Sequence, residues 1–412
     1  MPESHGSPDL LVIGGGVIGL AIAWRARERG ISVTLLEREQ TGAGASRVAA
    51  GMLAPVTEAE FGEEGRRVLA LGLRSAELWP AFAEQLQAAG ELDVGYLRSG
   101  TLLLARDEDE ARELDRQIAF RDSLGLTTRR LRASEARERE AALAPAMRLA
   151  LEAPDDHSVD PRCVLAALRA ACLAAGVQIR ERAHVTRIEC DEDGGRVTGV
   201  VLASAAERGR AEGAWLASGD RAGSDARAAG GELVAAERVV LACGAWSGQI
   251  GGLPAGASVP VRPVRGQLLR LRDPAGPGLL STVVRFGGGY LVPRADGRYV
   301  LGATVEERGF DVQPDVGGVY ELLRDAHELV PGVSELKIDE LCVGLRPGTP
   351  DNAPAIGFGE PDGLVWATGH YRNGILLAPL TAEIVVALLS GEHVETELLS
   401  ACAPERFAAV RA

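Results

Sequence analysis

Three glycines near the start of the chain have the spacing of a nucleotide-binding turn. Gly14, Gly16 and Gly19 follow the apolar run 10–13 and precede an Ala-rich stretch. In such a turn the first glycine permits a tight bend, the second lets backbone N–H groups approach a pyrophosphate, and the third lets the helix pack closely on the strand. The positive end of the helix dipole then faces the phosphates. The spacing therefore predicts a strand, a phosphate-binding turn and a helix.

An acidic residue ends the next apolar run, 31–36. Glu37 lies eighteen residues past Gly19, close to the roughly 20 residues that separate such a turn from the acid that binds a ribose hydroxyl. An acid here argues against a 2′-phosphate, which requires a basic neighbour. A glycine-rich turn that binds nothing is the alternative, but the strand, helix, second strand and acid all fall in register. We therefore predict a bound dinucleotide, either NAD or FAD.

Composition narrows the classes of partner. The 412 residues suffice for two domains with separate cores. The net charge of −14 argues against broad contact with nucleic acid or an anionic membrane. The six cysteines include no C-x-x-C pair and no neighbouring His at ligand spacing, so we predict neither a metal site nor a disulfide framework. Because Lys337 is the only lysine, no other lysine can act as a base or Schiff-base amine.

The N-terminal region carries no targeting signal that we recognise. Residues 1–8 are polar and lack the basic start and apolar core of a signal peptide. The longest apolar stretch, 10–24, has fifteen residues and holds four glycines, which is too short to cross a bilayer. We therefore expect a cytoplasmic protein without membrane contact.

The elements that must position these residues follow from hydrophobic periodicity. Apolar residues recur at helical spacing over 63–89. Asp160 and Pro161 have the residue types of an N-cap and a first helical position, and they predict a second long helix. Three strands are predicted to form an antiparallel sheet with Asp296-Gly297 as a hairpin turn. Those strands are 264–271, 289–292 and 299–303.

Three further stretches have unusual composition. Residues 42–55 are small and almost without bulk, so their backbone should pack against something flat and large, such as a bound ring system. Residues 203–235 show little apolar periodicity and predict a surface insertion. Near the C-terminus a glycine-containing turn, 369–374, follows a strand and opens a helix over 375–389.

Five motifs together resemble the glycine oxidase (thiazole-biosynthesis oxidase) branch of the D-amino-acid oxidase superfamily of flavoproteins. They are A-S-R-V-A-A-G-M-L-A-P (45–55), A-C-G-A-W-S (242–247), Y-L-V-P-R (290–294), G-L-R-P-G-T-P-D (344–351) and G-H-Y-R-N-G-I-L-L-A-P (369–379). The resemblance extends over 12–389 except for the predicted insertion. It implies an α/β fold in which a Rossmann-like FAD-binding domain of the glutathione-reductase type is interleaved with an α+β substrate domain built on an antiparallel sheet.

The resemblance also implies a division of the chain and a set of cofactor contacts. The FAD-binding domain would comprise 1–87, 148–260 and 340–412, and the substrate domain 88–147 and 261–339. FAD would bind non-covalently, with the glycine turn at its pyrophosphate, and a helix N-terminus at the flavin would stabilise the negative charge of reduction. The implied contacts are Gly14, Gly16, Val17, Ile18, Gly19, Glu37, Arg38, Ser46, Arg47, Ala49, Ala50, Gly51, Met52, Val185, Gly244, Trp246, Arg346, Arg372, Asn373, Gly374, Ile375 and Leu376.

Substrate contacts are implied for three residues. Arg346 has a fork of donors that can bind a carboxylate bidentately, and Pro347-Gly348 predicts a rigid loop that fixes it; a surface or structural ion pair is the alternative. Tyr290 would donate to the same carboxylate, unless it is a core aromatic. Arg372 would either hold the site or buttress its turn. His370 is a base by residue type, but hydride transfer from a neutral amine needs no such group, so we expect a structural role.

Some positions depart from the family pattern. Gly288 and Val305 replace larger residues, which would shift the preference for substrate size. Gly344 stands where sarcosine oxidases attach flavin through Cys, and Cys342 is two residues away. The implied activity is oxidation of glycine, sarcosine or small D-amino acids by an oxygen-dependent homo-oligomeric enzyme of thiamine production. A dehydrogenase that uses another acceptor and a flavin-bound scaffold without turnover are the alternatives.

Overall fold

The computed structural model of the chain describes residues 7–204 and 231–411. Its helices are Val17–Glu28 (α1), Ala45–Val48 (α2), Gly62–Gly90 (α3), Glu108–Ser123 (α4), Ala133–Arg139 (α5), Pro161–Ala174 (α6), Val316–Leu329 (α7), Ala378–Leu389 (α8) and Thr396–Cys402 (α9). Short 3-10 helices are Gly244–Gln249, Pro331–Glu335 and Pro404–Arg411. The strands are Leu10–Ile13 (β1), Val33–Leu36 (β2), Met52–Leu53 (β3), Thr101–Ala105 (β4), Arg129–Arg132 (β5), Leu149–Ala153 (β6), His157–Ser158 (β7), Gln178–Arg180 (β8), Val185–Cys190 (β9), Val197–Leu202 (β10), Leu233–Ala235 (β11), Val239–Leu241 (β12), Arg262–Arg272 (β13), Val283–Phe286 (β14), Gly289–Pro293 (β15), Arg298–Gly302 (β16), Lys337–Gly348 (β17), Ala355–Phe358 (β18) and Leu364–Thr368 (β19).

A six-stranded sheet carries the glycine turn. Its strand order is β18-β19-β12-β1-β2-β8, and β1 pairs in parallel with β12 and β2. Leu10 and Val12 pack against α1, α3, α6 and α8 on one face, whereas Leu11 and Ile13 pack toward β9 and β10 on the other. Because both faces are covered, β1 is apolar along its whole length.

A larger, eight-stranded sheet has the order β17-β13-β16-β15-β14-β4-β6-β5. Its neighbours are antiparallel except for β14 and β4, which pair in parallel. One face packs on α5 and α7 through residues such as Leu291 and Leu301. The other face carries Val283 and Val292 and packs on Ala50. The second face therefore lies against the small-residue loop that follows α2.

The predicted fold class is confirmed, with a parallel, Rossmann-like sheet beside a largely antiparallel one. Two local predictions are wrong. The helix predicted to begin at residue 375 begins at Ala378, because 374–377 form a turn. Pro347 and Gly348 do not form a loop; they end β17, whose pairing with β13 continues to Gly348.

The predicted insertion falls largely on residues 205–230, which lie outside the described residues. Within 203–235, the strand β11 pairs antiparallel with β10. We propose the predicted division into domains, although β6 joins the larger sheet and the predicted boundary at 148 assigns it to the FAD-binding domain. In the described part of the chain, no helix combines the length and low polarity needed to cross a membrane.

Candidate functional site

The glycine turn brings three backbone segments into contact closer than side chains would allow. Gly14 has φ +105°, and a Cβ there would overlap the carbonyl oxygen of Ala242, which follows β12. A Cβ at Gly19 would overlap the carbonyl oxygen of Gly14. Gly16 is the N-cap of α1 and supplies no side-chain cap, while Val17 and Ile18 are buried in the first turn. A turn of this kind at a helix N-terminus can present backbone N–H groups to a pyrophosphate.

Glu37 immediately follows β2, and its side chain contacts the glycine turn. Its carboxylate accepts from the backbone N–H groups of Gly15 (2.6 Å) and Glu39 (2.8 Å). Burial raises the pKa of this carboxyl, and the two N–H donors oppose the rise. Val185 is buried in the same cluster as the end of β2. Glu37 and Val185, two of the implied FAD contacts, therefore lie on the side of the parallel sheet that packs on β9 and β10.

The adjacent β12 edge adds an aromatic ring. Gly244 begins the 3-10 helix Gly244–Gln249 that carries Trp246. The Arg38 guanidinium lies 4.2 Å from the centroid of the Trp246 ring, a cation–π distance. The segments after β2 and β12 are thus joined across the top of the sheet.

The small-residue loop connects the two sheets. The Ser46 hydroxyl accepts from the Val17 N–H at 3.1 Å, at the start of α1, and Gly51 accepts from Val159 through its carbonyl at 2.8 Å. The carbonyl of Arg47 accepts from Arg270 at 2.7 Å. The other loop residues pack in the neighbouring core clusters; they are Ala49, Ala50 and Met52. The loop therefore runs from the glycine turn to one face of the larger sheet.

The turn after β19 is held from below by α3. The carbonyl of Leu376 accepts from Ser75 Oγ (2.6 Å) and Trp79 Nε1 (2.8 Å), and Ile375 is also buried. Asn373 donates its N–H to the His370 carbonyl at 2.8 Å, and Gly374 follows it in the turn. These bonds fix the backbone of the turn that was predicted to face the flavin.

His370 is buried beneath that turn. Its Nε2 lies 2.9 Å from Thr381 Oγ1 in α8, and burial lowers its pKa to about 3. The ring is therefore neutral at ordinary pH and belongs to the packing of α8. This geometry agrees with the structural role expected for it.

The predicted substrate residues lie on the face of the larger sheet that packs on the small-residue loop. Tyr290 in β15 stands opposite Gly302 in β16. Arg346 in β17 extends across Gly266 and donates Nη1 to the carbonyls of Arg265 and Thr304, both at 3.1 Å. Burial raises the pKa of Tyr290, and the positive charge of Arg346 opposes that rise. A hydroxyl donor and a guanidinium thus share one surface.

Two charged residues that sequence reasoning missed complete this surface. Arg285 stands directly opposite Tyr290 in the β14–β15 pair, so both side chains point to the same face. Glu58 lies 3.3 Å from Arg285 and 3.9 Å from Arg372, whose Nη2 also contacts Glu60 at 2.9 Å. We call the surface formed by Glu58, Arg285, Tyr290, Arg346 and Arg372 the arginine face. No signal in the sequence pointed to Arg285, because the strand β14 that carries it was not predicted.

The segment that carries Glu58 is fixed by two buried charges. Asp156 accepts from the N–H groups of Val56 (3.0 Å) and Thr57 (2.7 Å). Arg121 donates to the carbonyls of the same two residues at 2.8 and 3.1 Å. Because both backbone donors and both acceptors are satisfied, this segment holds Glu58 in place at the arginine face.

Taken together, these residues fit a flavin dinucleotide. The glycine turn allows a close approach of backbone to backbone that a Cβ would prevent, Glu37 offers a carboxylate to a ribose, and the small-residue loop lies between the turn and the arginine face. A planar group that extends from the turn along this loop would reach Tyr290 and Arg346.

Comparison with known proteins agrees with this arrangement. The family model of the FAD dependent oxidoreductases matches residues 9–388. The glycine oxidase of Geobacillus kaustophilus (strain HTA426) is 35% identical over 392 residues, with 95% of each chain covered. A bifunctional ThiO/ThiG protein of Synechocystis sp. is also 35% identical; the alignment covers 97% of this chain but only 54% of that protein.

Solved structures give the same result. The crystal structure of glycine oxidase from Geobacillus kaustophilus has a TM-score of 0.81 at 34% identity, with 94% of this chain and 95% of that chain covered. The iminodiacetate oxidase of Chelativorans sp. BNC1 has a TM-score of 0.80 at 25% identity, with coverages of 96% and 98%. The similarity therefore includes both sheets.

Proposed function

Because this chain belongs to the FAD dependent oxidoreductase family, we propose that it oxidises glycine and similarly small amines, including sarcosine and small D-amino acids. Glycine, water and oxygen would give glyoxylate, ammonia and hydrogen peroxide. The observation that carries the proposal is that Arg346 and Tyr290 share the face of the larger sheet that packs on the small-residue loop. A guanidinium and a phenol on one surface suit a substrate carboxylate.

Positioning and charge would perform the catalysis. A bound FAD would supply the hydride acceptor, and oxygen would be the final electron acceptor. Arg346 and Tyr290 would anchor the carboxylate and so aim the Cα–H bond. The substrate would react as its neutral amine, so no protein group would need to act as a base. His370 would take no part, since it is buried and bonded to Thr381.

Anaerobic reduction of the flavin tests the proposal. We expect glycine and sarcosine to bleach the visible absorbance of the holoenzyme, and admitted air to restore it with release of hydrogen peroxide. Bleaching without reoxidation by air would indicate a dehydrogenase with another acceptor. No bleaching by any small amine would indicate a scaffold without turnover.

The role in the cell and the assembly are also proposals. The fused ThiO/ThiG relative supports a place in the thiazole branch of thiamine production, in the cytoplasm. Exposed apolar side chains support a homo-oligomer, since Val312 lies four residues before α7, Val316 and Tyr320 lie in its first turns, and the three are 50%, 85% and 62% exposed. Sedimentation of the protein and of a Tyr320→Glu variant would test that assembly.

A further inference from the structure

Arg285 is a cation on the arginine face that oxidation of glycine does not require. Its side chain is only 15% exposed, because β14 is an internal strand of the larger sheet. Its Nη1 is buried, and it has no hydrogen-bond partner among the described residues. Its Nη2 lies 3.3 Å from Glu58, slightly beyond the best hydrogen-bond range. A buried donor without an acceptor costs free energy.

The neighbouring charges do not compensate Arg285. Glu58 is shared between Arg285 and Arg372, and Glu60, the other partner of Arg372, is 66% exposed. Behind the face, burial and then the positive charge of Arg285 lower the pKa of Arg121 to about 10. The buried carboxylate of Asp156 lies in the range of both charges. Four guanidinium groups (Arg121, Arg285, Arg346 and Arg372) thus lie near three carboxylates (Glu58, Glu60 and Asp156), which leaves one positive charge over.

A single substrate carboxylate would bind Arg346 and Tyr290 rather than Arg285. Arg346 is held in place by two backbone carbonyls that bind its Nη1, and Tyr290 lies close enough for the two side chains to interact electrostatically. These two residues suffice for the carboxylate of glycine, so its binding does not need Arg285. The Nη1 of Arg285 would then remain buried and unpaired in the substrate complex. A second anionic oxygen on the substrate would supply the missing acceptor.

We propose that the enzyme prefers amino acids with a second carboxylate, and that this carboxylate binds Arg285. The inference rests on the proposed function and names its substrate class. Two kinds of amine share the required chemistry: N-carboxymethyl amino acids, in which the second carboxylate is attached through nitrogen, and acidic D-amino acids, in which it is attached through the side chain. Arg285 is thus a specificity-determining residue.

Binding of unreactive ethers tests the inference without turnover. Methoxyacetate has the shape of sarcosine, and diglycolate has the same shape with one carboxylate added. We expect diglycolate to bind the holoenzyme at least about tenfold more tightly, by titration of the flavin absorbance or by calorimetry; tenfold corresponds to about 1.4 kcal/mol. Arg285→Met should abolish this preference, and Arg285→Lys should restore part of it. The matched control Arg112→Met, on an exposed face of α4, should keep the wild-type ratio.

Equal binding of the two ethers by the wild-type protein would overturn the inference, whether or not the variants fold. A preference that survives in Arg285→Met would overturn it as well. Turnover then separates the two kinds of amine: iminodiacetate is compared with sarcosine, and D-aspartate with D-alanine, by kcat/KM.

The two proposals fail in different ways. If no amine bleaches the flavin while diglycolate is still preferred, the oxidase proposal fails and the Arg285 subsite stands. If sarcosine is oxidised but neither diglycolate nor iminodiacetate gains from its second carboxylate, the oxidase proposal stands and the subsite fails.

Discussion

At the glycine turn the backbone of β1, α1 and β12 is so close that a Cβ at Gly14 or Gly19 would overlap a carbonyl oxygen. On the arginine face the backbone is regular sheet, and the side chains of Arg285, Tyr290 and Arg346 define the surface. We propose that the first region binds its ligand through backbone groups, which the missing side chains leave accessible, and that the second binds through charged side chains. We therefore expect the turn to be sensitive to volume and the face to be sensitive to charge.

This difference also separates the two tasks of the site. A dinucleotide is large, and its pyrophosphate can be held by backbone N–H groups alone. A small amino acid offers few atoms, so its recognition depends on strong, directional contacts with its carboxylate. Changes in the turn should therefore remove the cofactor, whereas changes on the face should leave the cofactor bound and reduce turnover.

The largest effect is expected for Gly19→Ala. The added methyl group would overlap the Gly14 carbonyl, so α1 must move away from β1 and the turn must open. We expect the purified variant to contain almost no FAD, as measured by the ratio of flavin to protein absorbance. Gly195→Ala is the control, because a Cβ there meets nothing within 4 Å. Full FAD content in Gly19→Ala would show that the turn tolerates volume.

Arg346→Met should have the next largest effect. Loss of a partly buried guanidinium that binds a carboxylate should lower kcat/KM for glycine by about 100-fold or more, because the substrate charge would be left unpaired. The FAD content should remain at the wild-type level. Arg346→Lys, which keeps the charge but loses the fork, should be intermediate. Near-normal turnover in the Met variant would reject Arg346 as the carboxylate ligand.

The contrast between the two regions also explains which parts of the site could be predicted from the sequence. The glycine turn and Glu37 are local in sequence, so their spacing alone predicted a dinucleotide site. The helix capped by Asp160 and the hairpin at Asp296-Gly297 are also local, and both formed as predicted. Signals of this kind can be read from the sequence because all the residues that fix the geometry are close together in the chain.

The arginine face could be predicted only in part, because it is assembled from distant segments. Arg346 and Tyr290 were found through motifs of the family, yet Glu58 and Arg285 belong to no motif and meet only when the larger sheet forms. Pro347 suggested a loop around Arg346, but β13 pairs with β17 through that proline. Tertiary pairing overrode the local preference.

A smaller effect is expected from His370→Gln, and it depends on pH. The pKa of His370 falls from 6.5 to about 3 on folding, so between these values the unfolded chain binds a proton that the folded chain does not. The contribution of His370 to stability is therefore fully present above pH 6.5 and is lost as the pH falls. Between pH 6.5 and 5 the loss should be about 2 kcal/mol.

Urea denaturation of wild type and His370→Gln at pH 7 and pH 5 measures this difference. The wild-type protein should lose more stability than the variant on acidification, because Gln cannot take up a proton. The pH dependence of kcat/KM should keep its shape in the variant, since His370 is not a base in the proposed reaction. An acidic limb that disappears in His370→Gln would instead identify His370 as a catalytic group.

Arg372→Met should have the smallest effect, and it tests whether Arg372 takes part in substrate binding on the arginine face. Arg372 is 32% exposed and its closest partner, Glu60, is 66% exposed, so solvent screens that pair, and pairs of this kind contribute little. We expect KM for glycine to rise about threefold with little change in kcat. The FAD content should be unchanged, because Ser75 and Trp79 hold the turn at Leu376 independently of Arg372. A loss as large as that of Arg346→Met would mean that Arg372 binds the substrate directly, and a loss of FAD would instead place it with the glycine turn as part of the cofactor site.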